Sequence, residues 1–173
     1  MKRSLENISY ENRTVKKNFD IILISGKKLF NFSSNDYLSL SKNTKIINES
    51  KKWSEIYGSS LSSSRFVSGN LDKISVIESK LSEFTGKEKS LIFSGGFLMN
   101  STLIPTLTGN TLGQRNKVEI FSDKLNHASI NYGCYLTRQR VFRYNHLDLN
   151  HLEYLLKKSD KKTPKFIISE TLF

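Results

Sequence analysis

The chain has 173 residues, 27 Lys and Arg against 16 Asp and Glu, a formal net charge of +11, and 37% hydrophobic residues. That length suits one domain or the larger part of one, and 11 Phe, 7 Tyr and 1 Trp supply enough apolar bulk for a core, which excludes a globally disordered chain. The single cysteine, Cys134, excludes an intramolecular disulfide framework and a Cys-rich zinc site, and no apolar run approaches the ~18 residues of a membrane span.

The opening stretch, MKRSLENISYENR, has no apolar core of the kind a secretory signal needs, so a cytoplasmic setting is expected. The positive charges are mostly scattered singlets and pairs such as Lys16-Lys17, Lys51-Lys52 and Lys161-Lys162. This reads as a solvated basic surface, with nucleic-acid binding the weaker rival. Among anions, a phosphate-bearing ligand fits the motifs below better than DNA does.

Residues 1–20 are polar and read as irregular or a frayed helix. Ile21 to Ile24 and Leu29 to Phe32 read as two short strands around Gly26. Residues 43–57 read as a helix with Ile46, Ile47, Trp53 and Ile56 as core contacts. The segment Gly58 to Ser64 reads as a loop. A helix follows Asn70-Leu71-Asp72, with Ile74, Ile77, Leu81 and Phe84 on one face and Gly86 as its left-handed cap.

The chain then alternates. Four apolar runs, Ser90–Phe93, Val118–Phe121, Arg140–Tyr144 and Lys165–Ile168, read as strands. Helical patterns follow the first three, at Phe97–Leu107, from near Asn126, and at Leu149, Leu152, Leu155 and Leu156. Such alternation implies an α/β domain with a mostly parallel sheet flanked by helices. Phe173 follows the fourth strand with no covering helix, so an incomplete domain is expected.

Ligands of open α/β sheets bind beyond the carboxyl ends of the strands. Three segments fall there. Ser94-Gly95-Gly96-Phe97 is either a tight strand-to-helix turn or a helix start whose N–H groups face an anion. In Asp123 to Ser129, Asn126 is the expected helix cap and His127 lies in the first turn. That imidazole is either a solvated structural group or one that stacks on a ring or moves a proton. Glu170 is either a structural acceptor or an active-site carboxylate. His146 and His151 lack the companions of a metal site. Cys134 reads as a buried thiol. A Gly-rich Lys-Ser/Thr phosphate loop is absent.

Five segments in order, Asn31-Phe32-Ser33-Ser34-Asn35-Asp36-Tyr37-Leu38, Arg65-Phe66-Val67-Ser68-Gly69-Asn70, Phe93-Ser94-Gly95-Gly96-Phe97-Leu98-Met99-Asn100, Asp123 to Ile130 and Ile168-Ser169-Glu170-Thr171-Leu172-Phe173, resemble the amino-terminal part of the α-oxoamine synthases. These are pyridoxal 5′-phosphate (PLP) enzymes of the aspartate-aminotransferase fold type. The resemblance covers residues 20–173. It implies a first segment, 1–57, of arm and small domain, and a second, 58–173, forming the first part of the PLP-binding large domain.

The resemblance also implies roles. Gly95, Gly96 and Phe97 match the phosphate-holding turn. His127 matches the histidine that stacks on the pyridine ring. Asn35 matches an asparagine near the amino-acid substrate, and Glu170 an acid close to the cofactor. The implied reaction joins an amino acid to an acyl-CoA with loss of CO2. The implied partners are these substrates and a second copy or a complementing carboxyl-terminal chain, with no nucleic acid and no membrane. By the same resemblance, the Schiff-base lysine and the aspartate on the pyridine nitrogen belong to a later segment than these residues, so the chain is expected to be inactive alone. A non-catalytic remnant or a phosphate- or PLP-binding module is the alternative. Ser39, Ser60, Ser62 and Ser63 stand where the family has glycine.

Overall fold

The apolar run after Lys117 becomes the central strand of a parallel sheet, and most of the carboxyl-terminal half is laid against it. In the computed structural model, which describes residues 16–18, 21–24, 27–109 and 117–173, the chain divides into two units, Met1–Leu71 and Asp72–Phe173.

In the first unit, β1 (Lys16–Asn18), β2 (Ile21–Ile24) and β3 (Lys27–Phe30) form an antiparallel sheet in that order. Ile21 lies opposite Phe30, and Ile24 opposite Lys27. The third strand therefore starts and ends two residues earlier than the apolar pattern of 29–32 implies; Gly26 lies outside the described residues. The strand β1 corrects the irregular or frayed-helix reading at Lys16–Asn18; the rest of 1–20 lies outside the described residues. Lys16 to Asn18 pair with Leu23 to Ile21. A backbone ladder needs no apolar side chains, so a polar segment can join a sheet edge without a compositional signal.

Helix α1 (Thr44–Tyr57) starts where the Asn43 side chain accepts hydrogen bonds from the N–H groups of Lys45 (3.0 Å) and Ile46 (3.4 Å). None of its residues is buried. Ile46, Ile47, Trp53 and Ile56 are exposed, so the core contacts expected of them are not made among the described residues. Ser39 and Ser62, two of the serines that the resemblance sets against glycine, hold left-handed backbone, with φ of 53° and 58°. The turns keep the conformation that glycine takes without penalty, and the serines adopt it under strain.

The second unit opens with α2 (Asp72–Thr85). Gly86, at φ 65°, ends it. Its N–H reaches the Glu83 carbonyl (3.2 Å), and the Lys87 N–H reaches that of Ser82 (2.9 Å), the paired bonds of a Schellman motif. No α2 residue is buried, and Phe84 is fully presented to solvent in place of the expected core contact.

Ser90–Phe93, read as the first strand, is not one. Its polar groups engage the preceding helix: the Ile92 N–H donates to the Glu78 carboxylate (2.9 Å) and the Ser90 hydroxyl to the Glu78 carbonyl. The apolar run was real; the ladder partner that would make it a strand is absent among the described residues.

Helix α3 (Gly96–Leu107) precedes β4 (Glu119–Asp123), α4 (Ala128–Leu136), β5 (Arg140–Tyr144), α5 (Leu149–Lys158) and β6 (Lys165–Ile168). The three strands are parallel in the order β5-β4-β6, with Ile120 opposite both Val141 and Phe166. Every β4 residue is buried, as befits a parallel strand covered on both faces. On one face Ile120 and Val118 pack with Ile104 of α3 and Ile130 and Cys134 of α4. On the other, Phe121 packs with Tyr144 and Leu152 of α5, its ring stacked on Phe142 at 4.8 Å. Among the described residues no helix is long and apolar enough to cross a membrane.

Helices α3 and α4 meet at Gly133. A Cβ there would lie 2.4 Å from the Asn100 carbonyl oxygen and 3.0 Å from Ile104 Cδ1. The main-chain atom cannot swing aside. Gly133→Ala is expected to lower stability by about 1–3 kcal/mol, read from urea midpoints, through overpacking. Ser62→Gly should act oppositely, adding roughly 0.5–1 kcal/mol, because relief of the left-handed serine outweighs the extra freedom of glycine in the unfolded chain; an unchanged or lowered midpoint would count against the strain.

Candidate functional site

Parallel strands place their carboxyl ends on one edge, and the polar residues after β4 and β6 meet there. The Asn126 side-chain amide donates to the Ser122 hydroxyl and to the Ile168 carbonyl, both at 2.9 Å, tying the end of β4 to the end of β6. Two residues past Ile168, the half-buried Glu170 carboxylate accepts the main-chain N–H of His127.

His127, not Asn126, caps α4. Its Nδ1 accepts the Ser129 N–H at 3.2 Å, work that an Asn or Asp oxygen commonly does. Asn126 is instead spent between the strands. The Ser129 hydroxyl also lies 2.7 Å from Nδ1, and it accepts from the Asn100 amide at 2.9 Å. The main-chain N–H and the hydroxyl of Ser129 therefore both face the Nδ1 edge of the imidazole. Ser129 is buried, whereas His127 is exposed, so the ring is held by its Nδ1 edge and leaves its faces accessible.

Asn100 belongs to α3, one turn in from Gly96. The start of that helix therefore stands beside the histidine, two hydrogen bonds away. Phe97 reinforces the arrangement, its ring 5.6 Å from that of Tyr132 on α4. The first main-chain bond of α3 runs from the Met99 N–H to the Gly95 carbonyl (3.0 Å), and no side chain caps the helix. The N–H groups of Gly96, Phe97 and Leu98 thus have no partner within it. A Cβ added at Gly95 or Gly96 would meet nothing within 4 Å, and Gly95 is extended at φ −170°. The two glycines leave open space in front of donor groups at the positive end of a helix dipole, which suits a phosphate.

Of the residues singled out in the sequence, Gly95, Gly96, Phe97, His127 and Glu170 are brought together. Asn35 lies exposed in the first unit. No group of three or more metal-ligating side chains occurs among the described residues. His151 accepts the Asn145 N–H at Nδ1 (3.0 Å).

The structure adds residues that sequence reasoning left without a role, Asn100, Ser129 and the pair Asp123–His146, and it gives Asn126 a role other than the helix cap expected of it. Asp123 is fully buried. It accepts from Leu125 N–H (2.8 Å), Leu147 N–H (3.2 Å) and His146 Nδ1 (3.1 Å). Leu147 holds φ 54°, a conformation a leucine keeps only under constraint, and the carboxylate supplies that constraint. The His146 ring packs edge-on against Phe173 at 4.4 Å. No spacing rule links position 123 to 146; adjacency of β4 and β5 does.

Burial works to raise the Asp123 pKa, but the Leu125 and Leu147 N–H groups and His146 outweigh it and hold the carboxyl below its ordinary 3.8. A carboxyl lowered on folding contributes stability that is complete above 3.8 and is lost as pH falls through the folded value. Urea midpoints should therefore fall more steeply with acid in the native sequence than in Asp123→Asn once the pH drops below 3.8. Parallel acid limbs would refute the assignment.

A family model, aminotransferase class I and II, matches residues 27–173. An 8-amino-7-oxononanoate synthase of Gluconacetobacter diazotrophicus is 34% identical over 155 residues, covering 88% of this chain and 39% of that relative. The chain thus spans about two fifths of the length of the curated relatives it matches. A serine palmitoyltransferase of S. paucimobilis, solved with a bound PLP–myriocin aldimine, superposes with a TM-score of 0.77 at 25% identity, over 86% of this chain and 36% of the other. The 8-amino-7-oxononanoate synthase of Francisella tularensis does so with 0.59 at 28% identity, over 79% and 35%. The sequence match and the shared α/β fold agree: the chain belongs to the aminotransferase class I and II family.

Proposed function

We propose that this chain forms the phosphate- and ring-binding part of a PLP-dependent α-oxoamine synthase of the 8-amino-7-oxononanoate synthase type, acting in biotin synthesis. The proposed reaction joins the α-carbon of L-alanine to the carbonyl carbon of an acyl-CoA, releasing CoA and losing the alanine carboxylate as CO2. The observation that carries the reading is the short path from the uncapped start of α3, through Asn100 and Ser129, to His127.

Each residue of that path has a physical task. The N–H groups of Gly96, Phe97 and Leu98 donate to phosphate oxygens with the helix dipole behind them. Gly95 and Gly96 keep the approach open. His127 lays a ring face against the pyridine, its tilt set by Ser129 and its main chain held by Glu170. Bound there, PLP would supply the electron sink that stabilises the amino-acid carbanion. Asn35 is the proposed contact to the amino acid. A second copy of the chain, or a chain bearing the Schiff-base lysine, is the proposed partner, and the cytoplasm the proposed location.

Pyridoxamine 5′-phosphate tests recognition without the aldehyde that would react with surface lysines. The chain is expected to bind it, with Gly96→Asp abolishing binding and His127→Ala weakening it about threefold to tenfold, the worth of one stacking contact. Equal affinity in all three, or no binding by the unaltered chain, measured by equilibrium dialysis, would end the proposal; the second result would favour a remnant of the fold that no longer binds a cofactor.

A further inference from the structure

Asn126 stands out among the buried polar residues because only half of its amide is used. Both bonds from Nδ2 are made, to Ser122 and Ile168, while Oδ1 is buried with no hydrogen-bond partner. Turning the amide around would set Oδ1 against the Ile168 carbonyl, acceptor facing acceptor, so the donor must face the strand ends. A buried polar atom left unpaired carries a cost, and a residue that merely filled this space would be apolar. The amide is kept for its donor side.

That donor side reaches the main chain just before Glu170. Asn126 grips the carbonyl of Ile168, the last residue of β6, and Glu170 comes two residues later. The main-chain N–H that Glu170 accepts belongs to His127, the residue after Asn126. A closed ring results: Asn126 side chain, Ile168 carbonyl, Glu170 carboxylate, His127 N–H and back to Asn126. The Asn126 carbonyl is itself held by the Asn131 amide at 2.9 Å, so the ring is braced against α4.

We propose that Asn126 is a positioning residue: it ties β6 to β4 so that Glu170 fixes the main chain of His127, and through it the ring edge held by Ser129. The proposal deepens the PLP-binding reading and rests on it for its functional meaning, although the hydrogen-bonded ring is testable without any ligand.

The test uses amide NMR of the full chain together with dialysis of pyridoxamine 5′-phosphate. Glu170→Gln removes the charged acceptor, so the His127 amide proton should move upfield. Asn126→Asp keeps the size of the side chain and removes the donor, and it should move the same proton the same way. Both variants should weaken binding by a similar factor, and the double variant should add nothing to either effect, as expected of groups acting in one chain of contacts. A merely structural asparagine would lower the melting temperature and leave the His127 resonance where it is; that result, or additive effects, overturns the proposal. Should Asn126→Asp fail to fold, the unaltered chain still decides: a coupling across the hydrogen bond from Asn126 Nδ2 to the Ile168 carbonyl carbon supports the tie, and its absence overturns it. If the unaltered chain does not bind pyridoxamine 5′-phosphate, the function proposed above fails, while the resonance shifts still judge the ring.

Discussion

The absence of a side chain at Gly133 lets α4 lie so close to α3 that the Asn100 carbonyl oxygen comes within 2.4 Å of where a Cβ would stand. This contact sets how far apart the two helices run. Only at that separation does the Asn100 amide reach the Ser129 hydroxyl, and only then is the start of α3 drawn beside His127. The helix that offers free N–H groups and the histidine that offers a ring face are thus placed by a packing constraint remote from both. Close-packed interiors transmit position in this way, because neither backbone nor a filled core gives by an ångström at small cost.

A second constraint comes from the sheet. The side chains of β4 alternate between two apolar clusters, Ile120 toward α3 and α4 and Phe121 toward α5. Where the strand runs out, the side chains turn polar while remaining buried: Ser122 and Asp123 at its end, Asn126 in the loop after it and Ser129 in α4. Buried polar groups must find partners, and at a strand end the partners available are main-chain groups of neighbouring strands and loops. Asp123 collects the turn after β4, the turn after β5 and His146. Asn126 collects β4 and β6. The edge is stiffened by hydrogen bonds where the hydrophobic core ends, and a site on it inherits defined positions.

Several elements were legible from local pattern alone. The face formed by Ile74, Ile77, Leu81 and Phe84 gave α2, and Gly86 its end, since helix periodicity and the left-handed cap are properties of neighbouring residues. β5 and β6 coincide with apolar runs, and glycines before a helical pattern marked the open start of α3. The same local signals misled where the decisive partner was distant. Ser90–Phe93 has strand composition but bonds to Glu78. Lys16–Asn18 lacks strand composition but pairs with β2. His127 has poor capping statistics, yet it caps α4 because Asn126 is claimed by Ile168.

By itself the sequence determined the alternation of strands and helices, the family motifs, and the residue types able to hold a phosphate and stack on a ring. Those follow from spacing, turn chemistry and side-chain identity within a few positions. Only the tertiary structure decided which strand lies central, that α3 and α4 touch at Gly133, and that Asn100, Ser129, His127, Asn126 and Glu170 form one hydrogen-bonded chain. These residues lie up to 43 positions apart within a single bond. Their meeting depends on the pairing of parallel strands and on close helix contact, which local spacing does not encode.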